Sequence, residues 1–306
     1  MSTKLAYIAV ILIWATTPLA IKWSSESVGY LFGITGRMLL GLIVTYLIVF
    51  FLRLRMPWHR QAVYTYIASG VGIYTAMGTM YWGAQFIPSG WVSVVFGLSP
   101  IITGAMAAFM LKEDAFSIHK ILGIGFGLVG LVFVFGHGAN LGTAFLNGIT
   151  ACVVGTTFHA LSAVTIKRID ANVGGFSLTA GGLSFTVPLL LITWFFVEGT
   201  LPSTIPLRAG LSIIYLGVVS SAVGFALYYY ILKRMTVSRV SLIALITPII
   251  SLAIGNTFNN EPISNAIVTG TAFIIFGLMV YEFGSPMSRW LDNLSWLARV
   301  RRRMAR

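Results

Sequence analysis

Apolar residues run along this chain in blocks of about 20, the length at which a helix crosses a bilayer core. Such stretches fall at roughly 4–22, 30–52, 63–86, 88–111, 118–136, 144–166, 174–197, 209–232, 237–258 and 263–283. Lipid offers the backbone no hydrogen bonds, so each stretch is predicted to be an α-helix. The first has the outline of a signal peptide but reads as a retained first span, because nine similar segments follow it. The connections are short. "GHGANLGT" at 136–143 separates two sets of five spans.

Composition agrees: hydrophobic residues make up 57% of the 306 and charged residues 9%. A soluble domain of this size has too little interior for that much apolar side chain. The net charge of +12 suggests nucleic acid only until the charges are placed. With the N-terminus in the cytoplasm, every Lys and Arg except Lys22, Arg37 and Arg208 falls on the cytoplasmic side. That is the positive-inside pattern of a multi-pass protein with both termini inside, and no nucleic-acid partner is needed. Residues 285–306, with Arg299, Arg301, Arg302, Arg303 and Arg306, form a basic cytoplasmic tail predicted to lie as an interfacial helix on anionic lipid. The single Cys152 excludes an intramolecular disulfide and leaves the compartment open.

"SPII" at 99–102 returns as "TPII" at 247–250, and each copy is followed thirteen residues after its proline by a Glu, Glu113 and Glu261. The same offset of 148 aligns Tyr81 with Tyr229, Val92 with Val240 and Ser93 with Ser241. The pattern predicts an all-α integral membrane protein of ten transmembrane helices, built as two inverted five-helix repeats, 1–140 and 141–284. Five is odd, so the second copy enters from the opposite side. Inverted repeats are the usual architecture of secondary transporters, whose substrate sites lie at the midplane between the halves. Pro100 and Pro248 sit near that depth. Each withholds a helix hydrogen bond, from Phe96 and Ala244 respectively, that the neighbouring Ser99 and Thr247 can repair or turn toward a ligand.

The two "[ST]PII…E" segments, "WATTPLAIK" in span one and Arg37 early in span two resemble the EamA family of the drug/metabolite transporter superfamily, over roughly residues 4–284. The resemblance implies a carrier of the bacterial inner membrane, most often an exporter of amino acids or other small metabolites. It also implies that spans one, three and eight surround a central cavity. There Trp14, Tyr74, Tyr81, Trp82 and Tyr228 would form an aromatic wall, with polar points from Thr17, Gln85 and Asn256.

Ionisable residues at membrane depth are costly and usually functional, and this chain has few. His159, beside Thr156, either carries a coupling proton or is a neutral buried residue bonded to its surroundings. Arg37 either pairs with a substrate carboxylate or snorkels outward to Glu26 or backbone carbonyls. Glu113 and Glu261 lie at span ends and are expected to cap the N-termini of spans five and ten. "GFGLVG" at 125–130 matches a dinucleotide fingerprint, but no strand precedes it, so its glycines read as close helix contacts. His119, His137 and His159 lack metal-ligand spacing, and neither metal nor cofactor is predicted. No paired carboxylates suggest an enzyme. The expected activity is export of a small metabolite, such as an amino acid or an amphipathic aromatic compound, by alternating access, with protons and membrane lipids as further partners. A lipid or polyprenyl-phosphate flippase and a non-catalytic membrane scaffold are the alternatives. The sequence leaves the cargo, the coupling ion and the oligomeric state open.

Overall fold

The structure, a computed structural model, describes residues 2–112, 118–136, 142–281 and 283–284. Glu113, His137 and the tail at 285–306 lie outside the described residues, and with them the expectations for their roles.

The described residues form helices and short connections, with no strand. Helix α1 covers Thr3–Ser25, α2 Tyr30–Phe51, α3 Arg60–Gly83, α4 Ser89–Leu111 and α5 Ile118–Gly136. Helix α6 covers Thr143–Ile169, α7 Gly175–Val197, α8 Leu207–Arg234, α9 Val237–Asn259 and α10 Asn265–Tyr281. Seven of these, α1, α2, α4 and α6–α9, are long and apolar enough to cross a membrane. Their outer surface is apolar: Phe50, Phe109, Phe196 and Leu207 are each at least three-quarters exposed. Buried among the helices, by contrast, are Thr45, Thr156, Thr186, Ser220 and Ser221. Apolar outside and hydroxylated inside is the distribution that lipid selects.

Small residues set the packing. Gly72 faces Ser162, Thr79 lies against Gly155 and Gly83 lies against Gly148, so α3 and α6 run antiparallel at close range. Helices α1 and α8 are likewise antiparallel, with Trp14 against Tyr228 and Trp23 against Arg208, and they are joined by Thr16–Tyr215 and Thr17–Ser220 hydroxyl contacts of 2.5 and 3.0 Å. Helix α2 packs on α7 and on α8, α3 packs on α7, and α4 packs on α6 and α9. Helices α5 and α10 meet through glycine. A Cβ at Gly123 would stand 2.4 Å from the Gly277 carbonyl oxygen, and one at Gly277 would stand 2.5 Å from that of Gly123. The glycines of the "GFGLVG" segment and its neighbours therefore occupy a helix, and Gly130 approaches the Gly270 carbonyl in the same way.

Two helices are interrupted and one is underwound. Helix α4 breaks at Gly97–Leu98, where the Gly97 N–H turns to the Ser93 and Val94 carbonyls and Leu98 N–H to Val95. The restart puts Pro100 in the first turn of the new segment, where its missing N–H costs nothing. Pro248 is placed differently. Helix α9 is interrupted at Leu242, and Pro248 lies inside the continuous segment Ile243–Asn259. The breaks in α4 and α9 are thus not at matching positions. Helix α8 adopts π-helical winding over Leu216–Gly224, which contains the consecutive Ser220 and Ser221. Single-turn π segments mark functional sites often, and this one is longer.

Candidate functional site

Arg37 is among the largest fully buried side chains of the described residues, only 1% exposed. It does not reach Glu26, which instead pairs with Arg208. Its Nε donates to Ser221 Oγ at 2.8 Å and its Nη2 to Ser220 Oγ at 3.0 Å. The Tyr81 ring lies 5.9 Å from the guanidinium carbon. Two glycines make this reach possible. A Cβ at Gly41 would come within 2.8 Å of Ser221 Cβ, and one at Gly217 within 3.0 Å of the Arg37 carbonyl oxygen. With α2 and α8 that close, short serine side chains meet the guanidinium directly. Ser220 also bonds Thr17, so α1, α2 and α8 share one polar knot. An Arg at membrane depth costs about 2.5–3.5 kcal/mol on insertion scales. Hydroxyl acceptors offset part of that cost without neutralising the charge.

The knot faces a central cavity of about 60 Å³. Trp14, Thr17, Arg37, His159, Ser220 and Thr247 are in its lining, with Pro18, Met77, Met80, Ser93, Phe96 and Phe225 completing much of the wall. Helices α1, α2, α3, α4, α6, α8 and α9 all contribute. Three buried polar atoms of this lining have no hydrogen-bond partner: Arg37 Nη1, His159 Nδ1 and Thr247 Oγ1. Its volume is about two waters' share of liquid, far below the 300–1,000 Å³ of a ligand pocket. The conformer is contracted around the site.

Aromatic rings close one side. Trp14 lies 4.9 Å from Tyr228, 5.7 Å from His159 and 6.0 Å from Phe96, centroid to centroid, and His159 lies 5.2 Å from Phe96 and 5.3 Å from Tyr228. Ser99 and Tyr228 line a smaller adjoining cavity with Trp14 and His159.

The other residues singled out in the sequence lie elsewhere. Tyr81 is buried beside Arg37, its hydroxyl 3.3 Å from Ser24 Oγ. Tyr74 bonds Thr193 on α7. Trp82 is exposed against Phe86. Gln85 bonds the Tyr81 carbonyl one turn back, and Thr156 the Cys152 carbonyl. Asn256 donates to the Glu261 carbonyl. Pro100 and Pro248 are buried beside Ser99 and Thr247, but the proline in the central lining is Pro18. Ser220, Ser221 and Phe96 were not anticipated as site residues. "VVSSAVG" at 218–224 carried a signal: adjacent serines between glycines in an apolar span.

At the end of the bundle where α1 finishes, Glu261 holds a second polar cluster. Its carboxylate accepts from the backbone N–H groups of Ser89 and Gly90 at 3.1 and 3.2 Å, from Ser89 Oγ at 2.9 Å and from Asn259 Nδ2 at 3.0 Å. Lys22 Nζ stands 3.6 Å away. Glu261 thus caps α4, not α10 as the sequence suggested. The orphan N–H groups of α4 face it across the packed α4–α9 contact. Burial, the largest single influence, pushes this carboxyl up, but the hydrogen bonds from Ser89, Asn259 and Gly90 together outweigh it and hold it below its ordinary 4.5. Glu198 caps α2 in a similar way, accepting from the N–H groups of Leu31 and Phe32.

Comparison with known proteins fits this arrangement. A transporter of Bacillus subtilis (strain 168), YoaV, described as uncharacterized, is 26% identical over 284 residues, covering 91% of this chain and 96% of its own. The "Probable terminal-alkyne amino-acid exporter" of Streptantibioticus cattleyicolor is 24% identical over 280 residues, 88% of this chain and 92% of its own. A protein of known crystal structure shares the fold with a TM-score of 0.71 at 20% identity, covering 95% of this chain and 99% of its own. The model of the EamA-like transporter family matches twice, over residues 1–136 and 146–282. This chain is a multi-pass helical membrane protein and belongs to the EamA-like transporter family.

Proposed function

We propose that the chain is a secondary transporter that exports a small metabolite, such as an amino acid or an amphipathic aromatic compound, across the bacterial inner membrane by alternating access. In this reading the ten helices span the membrane as two inverted five-helix repeats, with both termini cytoplasmic. The observation that carries it is the central cavity, where α1–α4 of the first half meet α6, α8 and α9 of the second around three unpartnered polar atoms. The double family match supports the duplication. So does the packing: exchanging each helix with the one five places on turns α1–α8 into α6–α3, α2–α8 into α7–α3 and α1–α9 into α6–α4. Exchange of the two halves' roles would open the cavity to the other side. Counterflow in liposomes holding the purified protein tests the reading. Trans-accelerated uptake of a labelled metabolite supports a carrier, and equal leakage with and without protein across a metabolite panel rejects it.

A groove of about 600 Å³ between α1, α8 and α9, lined by Leu19, Trp23, Leu211, Tyr215, Ile254 and Phe258 among others, favours the flippase as second reading. An acyl chain could lie in that apolar wall. Movement of a fluorescent phospholipid between leaflets, at a rate above protein-free vesicles, would select it.

A further inference from the structure

The lining of the central cavity contains a guanidinium, an imidazole and four hydroxyl-bearing side chains, and among the described residues no Asp or Glu. Arg37 spends Nε and Nη2 on uncharged serine hydroxyls, and its Nη1 remains buried and unpartnered. Thr247 Oγ1, from the other half of the chain, is buried and unpartnered in the same lining. A fixed cation with one free N–H edge, in the same lining as one free hydroxyl and the rings of Trp14 and Phe96, is complementary to a carboxylate. Building on the carrier reading, we infer that the substrates are small organic monocarboxylates. Their carboxylate oxygens accept from Arg37 Nη1 and the Thr247 hydroxyl, and their apolar body packs against Trp14 and Phe96. A charge-assisted bond of this kind is among the strong ones. A phosphate dianion would bring a second negative charge, which the one fixed cation of this lining leaves unbalanced. An organic cation would meet Arg37 with no carboxylate to offset the repulsion. His159 Nδ1 is a third donor whenever that nitrogen carries the proton. The cavity's small volume means that the body enters only when the helices part.

The test uses the full-length protein in lipid nanodiscs and three probes that share one ring: phenylacetate, phenylacetamide and phenethylamine. Calorimetric titration should show phenylacetate binding at least tenfold tighter than the amide or the amine. Arg37→Gln should lower phenylacetate affinity about tenfold to a hundredfold, the range for losing a bond to a charged group, and erase its preference over the amide. Arg37→Lys should retain that preference, and Thr247→Val should weaken phenylacetate but not phenethylamine. No phenylacetate binding by the folded protein, equal binding of the three probes, or an undiminished preference in Arg37→Gln would overturn the inference. Counterflow of labelled phenylacetate separates this result from the carrier reading. Arg37-dependent binding without counterflow refutes the carrier and leaves the carboxylate site standing. Counterflow of labelled phenethylamine, unaffected by Arg37→Gln, refutes the site and leaves the carrier.

Discussion

Arg37 Nε donates to Ser221 Oγ across 2.8 Å, and that bond ties α2 to the π-helical stretch of α8. Ser220 and Ser221 accept the hydrogen bonds of Nε and Nη2 of this buried cation, at roughly 1.5–3 kcal/mol for each hydrogen bond to a charged group. Ser220→Ala and Ser221→Ala should each lower the unfolding temperature in detergent, and the pair should lower it further. In an Arg37→Met background the same serine changes should cost much less. A double-mutant cycle measures the coupling, and an additive result would show that the serines act independently of Arg37.

The contact between α5 and α10 makes a paired prediction. Gly123→Ala puts a methyl group 2.4 Å from a backbone oxygen that cannot move aside without shifting its helix, whereas Gly125 has no atom within 4 Å of an added Cβ. Gly123→Ala should destabilise by about 1–3 kcal/mol, the usual cost of overpacking. Gly125→Ala should be neutral or slightly stabilising, since alanine is the better helix former. Thermal unfolding of both variants is the check.

The Glu261 cluster predicts a pH dependence of definite sign. Its folded carboxyl titrates below the unfolded 4.5, so its stabilisation is complete above that value and is lost as pH falls through the folded pKa. Hydrogen exchange of the first turn of α4, corrected for intrinsic rates, should be slow at neutral pH and speed up in acid. Glu261→Gln should remove the pH dependence and expose Ser89 and Gly90 amides throughout. Lys22→Met should have a smaller effect, because Lys22 is a third exposed and 3.6 Å away.

The two prolines should not be equivalent. Pro100 opens the segment after the Gly97–Leu98 break, beside Phe96 and Ser99 of the cavity walls. Pro248 lies within a continuous helical segment. Pro100→Ala lets α4 run through the break and should slow exchange in liposomes more than Pro248→Ala does. Equal losses would restore the symmetric role that the repeat suggests.

The helices were legible because lipid imposes their length: the predicted 30–52 and 174–197 became Tyr30–Phe51 and Gly175–Val197. Trp14, Thr17, Arg37, His159 and Thr247 could be singled out because polar or amphipathic groups at membrane depth are scarce. What the sequence hid depends on contacts between distant segments. The π winding of α8 has no composition of its own, and it places Ser220 and Ser221 against Arg37, more than 180 residues away. The capping of α4 by Glu261 likewise joins residues 172 apart. The second break, at Leu242 and not at Pro248, was invisible because no breaker residue marks it.

Alternating access can be tested without knowing the cargo. Ser93→Cys and Thr247→Cys, each made in a Cys152→Ala background, put a single thiol in the wall of the cavity from α4 and from α9. A membrane-impermeant methanethiosulfonate is then applied to right-side-out and to inside-out vesicles. Both thiols should react from either side. Reaction from one side alone, or from neither, would contradict a carrier site shared between the two halves.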